Sequence, residues 1–191
     1  MKKYITPTHI TSDEIKLIRE ITDMTQKEFA EFLGVSKRTV ERWEYTNDDI
    51  TGPITLIADL IIKNHTLPQS LEVPDKKYKL RLWYMYHDFV CSIIDVDEME
   101  RKVEVHNFIT NPLYRAMGVN TEPTFEEYEE FIKSRCFPET RDKLKLELKK
   151  LDIPFYDPIM IIEKTQGRMA DDDLWIKIRY LSRGENERAA S

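Results

Sequence analysis

Three basic side chains, Lys37, Arg38 and Arg42, stand close together in the run Ser-Lys-Arg-Thr-Val-Glu-Arg-Trp-Glu. If that run is helical, positions 37, 38, 41 and 42 share one outward face over the first two turns, while Val40 and Trp43 turn inward. Guanidinium and ammonium groups on such a face can bond to O6 and N7 of guanine in the DNA major groove, each good pair being worth about 1–3 kcal/mol of discrimination. Ser36 caps the helix and belongs to the same contact set, and Thr39, Tyr45 and Asn47 are placed for phosphate oxygens, which set register without carrying sequence. Gln26 opens a preceding helix, where the helix dipole and free N–H groups favour a phosphate. The plainer alternative is that these charges only keep a surface helix soluble. For Lys37, Arg38 and Arg42 the contact reading outweighs it. For Glu41 it does not, because a carboxylate near phosphates is repelled unless it reads cytosine.

The elements that must position this face are legible from caps and periodicity. Thr11, Ser12 and Asp13 offer caps to a first helix bearing Ile15, Leu17, Ile18 and Ile21. Asp23 or Thr25 caps a second, with Phe29, Phe32 and Leu33 as its apolar stripe. Thr25 and Glu28 have the spacing of a capping box. Gly34 supplies the left-handed residue that ends a helix sharply. After Gly52 and Pro53, residues 54–62 predict a further helix, mostly buried.

With these residues in place, TQKEFAEFLGVSKRTVERWE resembles the Cro/CI-type (XRE) helix-turn-helix, and within it the HigA- and MqsA-like antitoxins. The likeness extends with flanking helices over roughly residues 12–64. It implies sequence-specific binding to a double-stranded DNA operator as a homodimer. In lambdoid phage repressors an arginine of the first helix pairs with a glutamate at the end of the recognition helix; the matching positions are Arg19 and Glu44, an expected clamp between helices one and three.

Residues 67–78, with Pro68 and Pro74 and little periodicity, predict an extended linker. Beyond it the period changes to two. Leu80, Leu82, Tyr84 and Tyr86 share one strand face, residues 89–96 and 102–108 follow as strands around a hairpin loop, and residues 174–180 form a closing strand. Helices are expected from Phe125, Tyr128 and Ile132, from Leu144, Leu148 and Leu151, and from Asp157-Pro158 to Gln166; Leu146 would also suit a strand, but the Lys/Glu density of its segment favours helix. The expected fold class is α+β. An all-α helix-turn-helix domain spans 1–66, and a small mixed domain of antiparallel strands and about three helices spans 79–182. A disordered tail spans 183–191.

The text of the second part resembles a segment near the start of HipA-like kinases, over roughly residues 84–178. The likeness rests on Phe131, Arg135, Pro138, Arg141, Leu144, Leu148, Asp172 and Trp175, with Leu174 replacing an expected aromatic. The large catalytic portion of those kinases has no counterpart here, so no catalytic residue is carried over and an enzyme is not expected. The resemblance implies a subdomain that binds a partner protein, a HipA-like kinase being favoured. Arg135 and Arg141, flanking Pro138 on an expected exposed corner, are candidates for a partner's carboxylates or a phosphate; salt bridges to Glu139 or Glu129 are the favoured alternative.

Composition narrows the rest. The 191 residues carry a net charge of −6, with nine basic against eleven acidic residues up to His65, so bulk attraction cannot hold nucleic acid and a local basic face must. The apolar run at 159–162 is too short to cross a bilayer, and residues 4–10 lack an export signal's apolar core; a cytoplasmic setting is expected. Cys91 and Cys136 read as free thiols. Asp171, Asp172 and Asp173 read as a loop rather than a metal site, and the four histidines have no ligand spacing, so no metal and no cofactor is expected. The function expected is an autoregulatory, antitoxin-like transcriptional repressor. The alternative is a phage or mobile-element inhibitor of a host defence enzyme that tunes its own expression through the same motif.

Overall fold

The computed structural model describes residues 4–180. The chain divides into two compact units, one ending at Val73 and the other beginning at Pro74. Its class is mixed α+β: eight α-helices and one four-stranded antiparallel sheet among the described residues.

The first unit contains α1 (Ser12–Ile21), α2 (Gln26–Leu33), α3 (Lys37–Tyr45), α4 (Pro53–Lys63) and a single turn, α5 (Leu67–Ser70). Thr11 and Thr25 close capping boxes with Glu14 and Glu28, satisfying backbone groups that a helix start leaves bare. One core gathers Ile15 and Ile18 from α1, Phe29 and Ala30 from α2, Val40 from α3 and Ile54, Ala58 and Ile61 from α4. An isolated bridge between Ile10 and Ile50 ties the segment before α1 to the segment before α4.

Two expectations are corrected here. Helix α4 is apolar nearly all round but only one stripe of it is buried; Leu56, Leu60 and Ile62 remain 44–46% exposed. Its main neighbours in this unit are α1 and α5, and its Ile54, Ala58 and Ile61 alone turn fully into the core. The stretch 67–78 is not a free extended linker either. Pro68 is buried and Leu67 packs on the first core, because a Pro near a helix start and the apolar neighbours make the α5 turn favourable. Downstream, Pro74 O accepts from Arg81 Nη1 at 2.8 Å, Lys77 pairs with Glu104 at 2.7 Å, and Lys76 Nζ donates to Arg179 O at 3.0 Å, so this end belongs to the second unit.

The second unit is built on a sheet in the order β3-β2-β1-β4, from β1 (Leu80–Tyr86), β2 (Phe89–Asp97), β3 (Lys102–Asn107) and β4 (Leu174–Tyr180). Helices α6 (Phe125–Ser134), α7 (Leu144–Leu151) and α8 (Pro158–Thr165) share a core with one face of it. Leu80, Leu82, Ile94, Val96 and Ile176 meet Tyr128, Ile132, Leu148, Ile161 and Ile162 there. In α7 the 3.6-residue period prevails: Leu144, Leu148 and Leu151 pack on the core and Leu146 is half exposed. Cys91 and Cys136 are free, buried thiols in this core; burial pushes Cys136 up to about 12 and raises Cys91 as well, so neither is a nucleophile at neutral pH. No helix among the described residues is long and apolar enough to cross a membrane. The tail expected over 183–191, with residues 181 and 182 before it, lies outside the described residues.

Candidate nucleic-acid interface

The basic face is set by what ends α2 and starts α3. Gly34 takes φ 66° and ψ 29°, and Val35 N–H returns to Ala30 O at 2.9 Å, turning the chain within two residues. No atom lies within 4 Å of where a Cβ would stand on Gly34, so it is the left-handed backbone, not space, that selects glycine. Ser36 then caps α3. Its hydroxyl accepts from Thr39 N–H at 3.2 Å and bonds the Thr39 hydroxyl at 2.9 Å. Both hydroxyls are thereby held at the helix start, where they shape α3 before they can meet a phosphate.

On α3 the inward residues are Val40, fully buried, Trp43, packed on the core, and Glu44, 5% exposed. Lys37, Arg38, Arg42, Tyr45 and, just beyond, Asn47 are exposed. Lys37 Nζ pairs with Glu41 Oε1 at 3.0 Å across one turn, so this glutamate partly neutralises the nearest lysine. The side chains of Arg38 and Arg42 have no ion pair or hydrogen bond among the described residues, and no acidic residue stands in the first turn of α3. Tyr45, 81% exposed, extends the same helix.

Beneath this face is a three-way clamp. Arg19 Nε donates to Glu44 Oε1 at 2.7 Å, Gln26 Nε2 donates to Glu44 Oε2 at 2.7 Å, and Arg19 Nη1 reaches Met24 O at 3.1 Å. One carboxylate therefore fixes α1, the start of α2 and the end of α3. Burial alone would raise the Glu44 pKa; the bonds from Arg19 and Gln26, with the charge of Arg19, outweigh it and leave the group below its ordinary value. Gln26 thus differs from its expected role. Its amide is committed to Glu44, and the α2 start is further occupied by Glu28, whose carboxylate accepts Thr25 N–H at 2.7 Å. That committed amide anchors the α2 N-terminus to α3; the two residues lie 18 positions apart on different helices, so no local spacing announces the bond.

Arg135 is a plain correction. It is 7% exposed, not on an open corner, and its partner is neither Glu139 nor Glu129. Nη1 and Nη2 grip Asp172 at 2.5 and 3.0 Å, Nε donates to Gly167 O at 2.9 Å, and Nη2 also reaches Leu174 O at 2.7 Å. A Cβ on Gly167, at φ +58°, would come within 3.2 Å of Arg135 Cβ, so a bare residue lets the arginine pass. Buried and with four of its five N–H donors engaged, Arg135 ties α6 to the start of β4 and does not present an open guanidinium to a partner. Hydrogen bonding from Arg135 first, against the opposing effect of burial, lowers the Asp172 pKa. Arg141 is exposed, its guanidinium 5.7 Å from the Phe137 ring centre. A second buried pair escaped the sequence reading: Arg81 and Asp95, cross-strand neighbours on β1 and β2, bond at 2.7 and 2.6 Å with side chains 6% and 7% exposed.

No family model matches the chain, and no curated protein matches it. The physical reading of α3 therefore stands on its own residues. Among the described residues no three His, Cys, Asp or Glu side chains gather as a metal site.

Proposed function

We infer that this chain is a sequence-specific DNA-binding repressor, autoregulatory and antitoxin-like, in which a helix-turn-helix domain comes first and an α+β domain follows to hold a partner protein. The observation that carries the reading is the outward face of α3, where the side chains of Arg38 and Arg42 stand exposed with no partner among the described residues, over a helix locked from beneath by Arg19, Glu44 and Gln26. A guanidinium without a protein partner on a rigid helix has its donors free for guanine edges, and rigidity limits the ordering cost of docking. With a chain charge of −6, such contacts must be few and specific, so binding is salt-sensitive.

Two copies reading a palindrome would place their α3 helices about 34 Å apart, one turn of DNA. The setting is the cytoplasm, and the favoured partner of the second domain is a kinase resembling HipA, as the likeness of Phe131, Arg135, Pro138, Arg141, Asp172 and Trp175 implies. Arg135 and Asp172 contribute to that domain as a structural pair, so the partner surface lies elsewhere on it. Selection from random duplexes by the purified chain tests the DNA reading: enrichment of one sequence with half-sites about a helical turn apart is expected, and recovery of unenriched DNA would overturn it.

A further inference from the structure

Among the described residues strand β4 ends the sheet, with β1 on its inner side only. In an antiparallel pair, residues that exchange both backbone bonds alternate with residues that exchange none. Ile176 N–H donates away from β1, to Gln166 O at 2.7 Å. Tyr84 and Ile176 are therefore a non-bonded pair, and with the register unbroken so are Leu82 and Ile178. The N–H and C=O of Ile178 and the N–H of Tyr180 point out of the sheet.

The two halves of this edge are treated differently. At its start, Leu174 N–H is taken by Asp172, Leu174 O by Arg135, and Ile176 N–H by Gln166. From Ile176 C=O to Tyr180 N–H the edge groups have no partner among the described residues. Alongside the open half, α8 and β4 border a groove of about 320 Å³ in which Ile178 is the partly exposed apolar side chain, Ile162 and Ile176 lie buried beneath, and Gln166 and Glu163 line the polar side, Glu163 accepting from the Tyr180 hydroxyl. The other face of the strand exposes Lys177, without an ion pair among the described residues, and Arg179, whose guanidinium lies 5.5 Å from the Trp83 ring centre.

These charges decide the occupant. A second copy adding its own β4 antiparallel about Ile178 would set Lys177 opposite Arg179 on both sides, and like charges directly opposite are destabilising. Edge lysines repel indiscriminate strands, so only a strand of opposite charge is favoured. We propose that the open half of β4 receives an extended segment of the partner protein by strand addition, the segment alternating apolar side chains into the α8 groove with Asp or Glu over Lys177 and Arg179. This rests on the reading of the second domain as a partner-binding module and is independent of DNA binding.

Ile178→Pro is a selective probe. Its N–H faces outward, so proline removes an edge donor while leaving the β1 ladder bonds in place. Phage displaying random peptides would be selected on the full-length chain, and an enriched peptide then synthesised and titrated. Enriched sequences should alternate apolar residues with Asp or Glu, protect the Ile178 and Tyr180 amides from hydrogen exchange, and bind Ile178→Pro at least about tenfold more weakly, as expected for losing a backbone bond and its register. The double variant Lys177→Glu with Arg179→Glu should invert the charge preference while keeping the strand. No enrichment over an unrelated protein, or peptides indifferent to both variants, would overturn the proposal. So would concentration-dependent dimerisation abolished by Ile178→Pro, which would make the occupant a second copy. An operator shift on the same variants stays at the wild-type value, so a failure of the DNA reading shows separately.

Discussion

Arg38 and Arg42 in the first unit and Arg81 and Arg135 in the second put one side chain to opposite uses. The side chains of the first two are exposed and bond to nothing among the described residues; the second two are buried, grip Asp95 and Asp172 through one guanidinium edge each, and spend further donors on backbone carbonyls. A guanidinium has five donors in a fixed fork, and whether the protein itself occupies that fork separates a recognition residue from a structural one. Glu44 sits between the two cases: buried like Asp95, but employed to hold still α3, the helix we propose reads DNA.

Removing a buried arginine should therefore cost fold and spare recognition. Arg81→Ala leaves Asp95 charged and enclosed, and should destabilise the second unit by about 3–5 kcal/mol in urea unfolding, with operator affinity per folded molecule unchanged. A cost below about 1 kcal/mol would place that pair with weak surface bridges.

The clamp beneath α3 comes next. Arg19→Leu strands Glu44 with Gln26 alone, and should cost about 2–3 kcal/mol; Arg19→Leu with Glu44→Leu should cost less than the sum of the singles, with a coupling of about 1–2 kcal/mol. Additive costs in a double-mutant cycle would show that the clamp is not a unit.

A smaller effect follows from acid. Glu44 and Asp172 both titrate below their ordinary values of 4.5 and 3.8. A carboxyl depressed in the fold contributes stability that is whole above its unfolded pKa and lost as pH falls through the folded one. Unfolding midpoints should be flat between neutrality and about pH 5, then drop in more acidic solution, and Glu44→Gln and Asp172→Asn should each flatten part of that drop. An acid limb identical in all three proteins would contradict the assignment.

Local geometry explains which features were readable in the sequence. Thr25, Glu28, Gly34 and Ser36 act within a few residues, and a period of 3.6 assigns Lys37, Arg38 and Arg42 to one face without any tertiary knowledge. Alternation did the same for β1 and β4. Arg135 was misplaced because its partner lies 37 residues away and reaches it only once β4 returns beside β1. Arg81 held a signal that went unused: Trp83 and Met85 share its strand face, and a charge on a face that is otherwise apolar must find a buried partner. Helix α4 misled because an apolar composition reports how much could be buried, not how many neighbours arrive to bury it.

The central claim is that Arg38 and Arg42 act outward on DNA and do nothing for the fold, and one paired measurement tests it. Arg38→Ala with Arg42→Ala is assayed for affinity to the selected duplex and for unfolding free energy together. Affinity should fall by about a hundredfold or more, two guanine contacts at about 1–3 kcal/mol each, while stability stays within about 0.5 kcal/mol of wild type. Retained affinity, or a loss of stability large enough to account for lost binding, would contradict it.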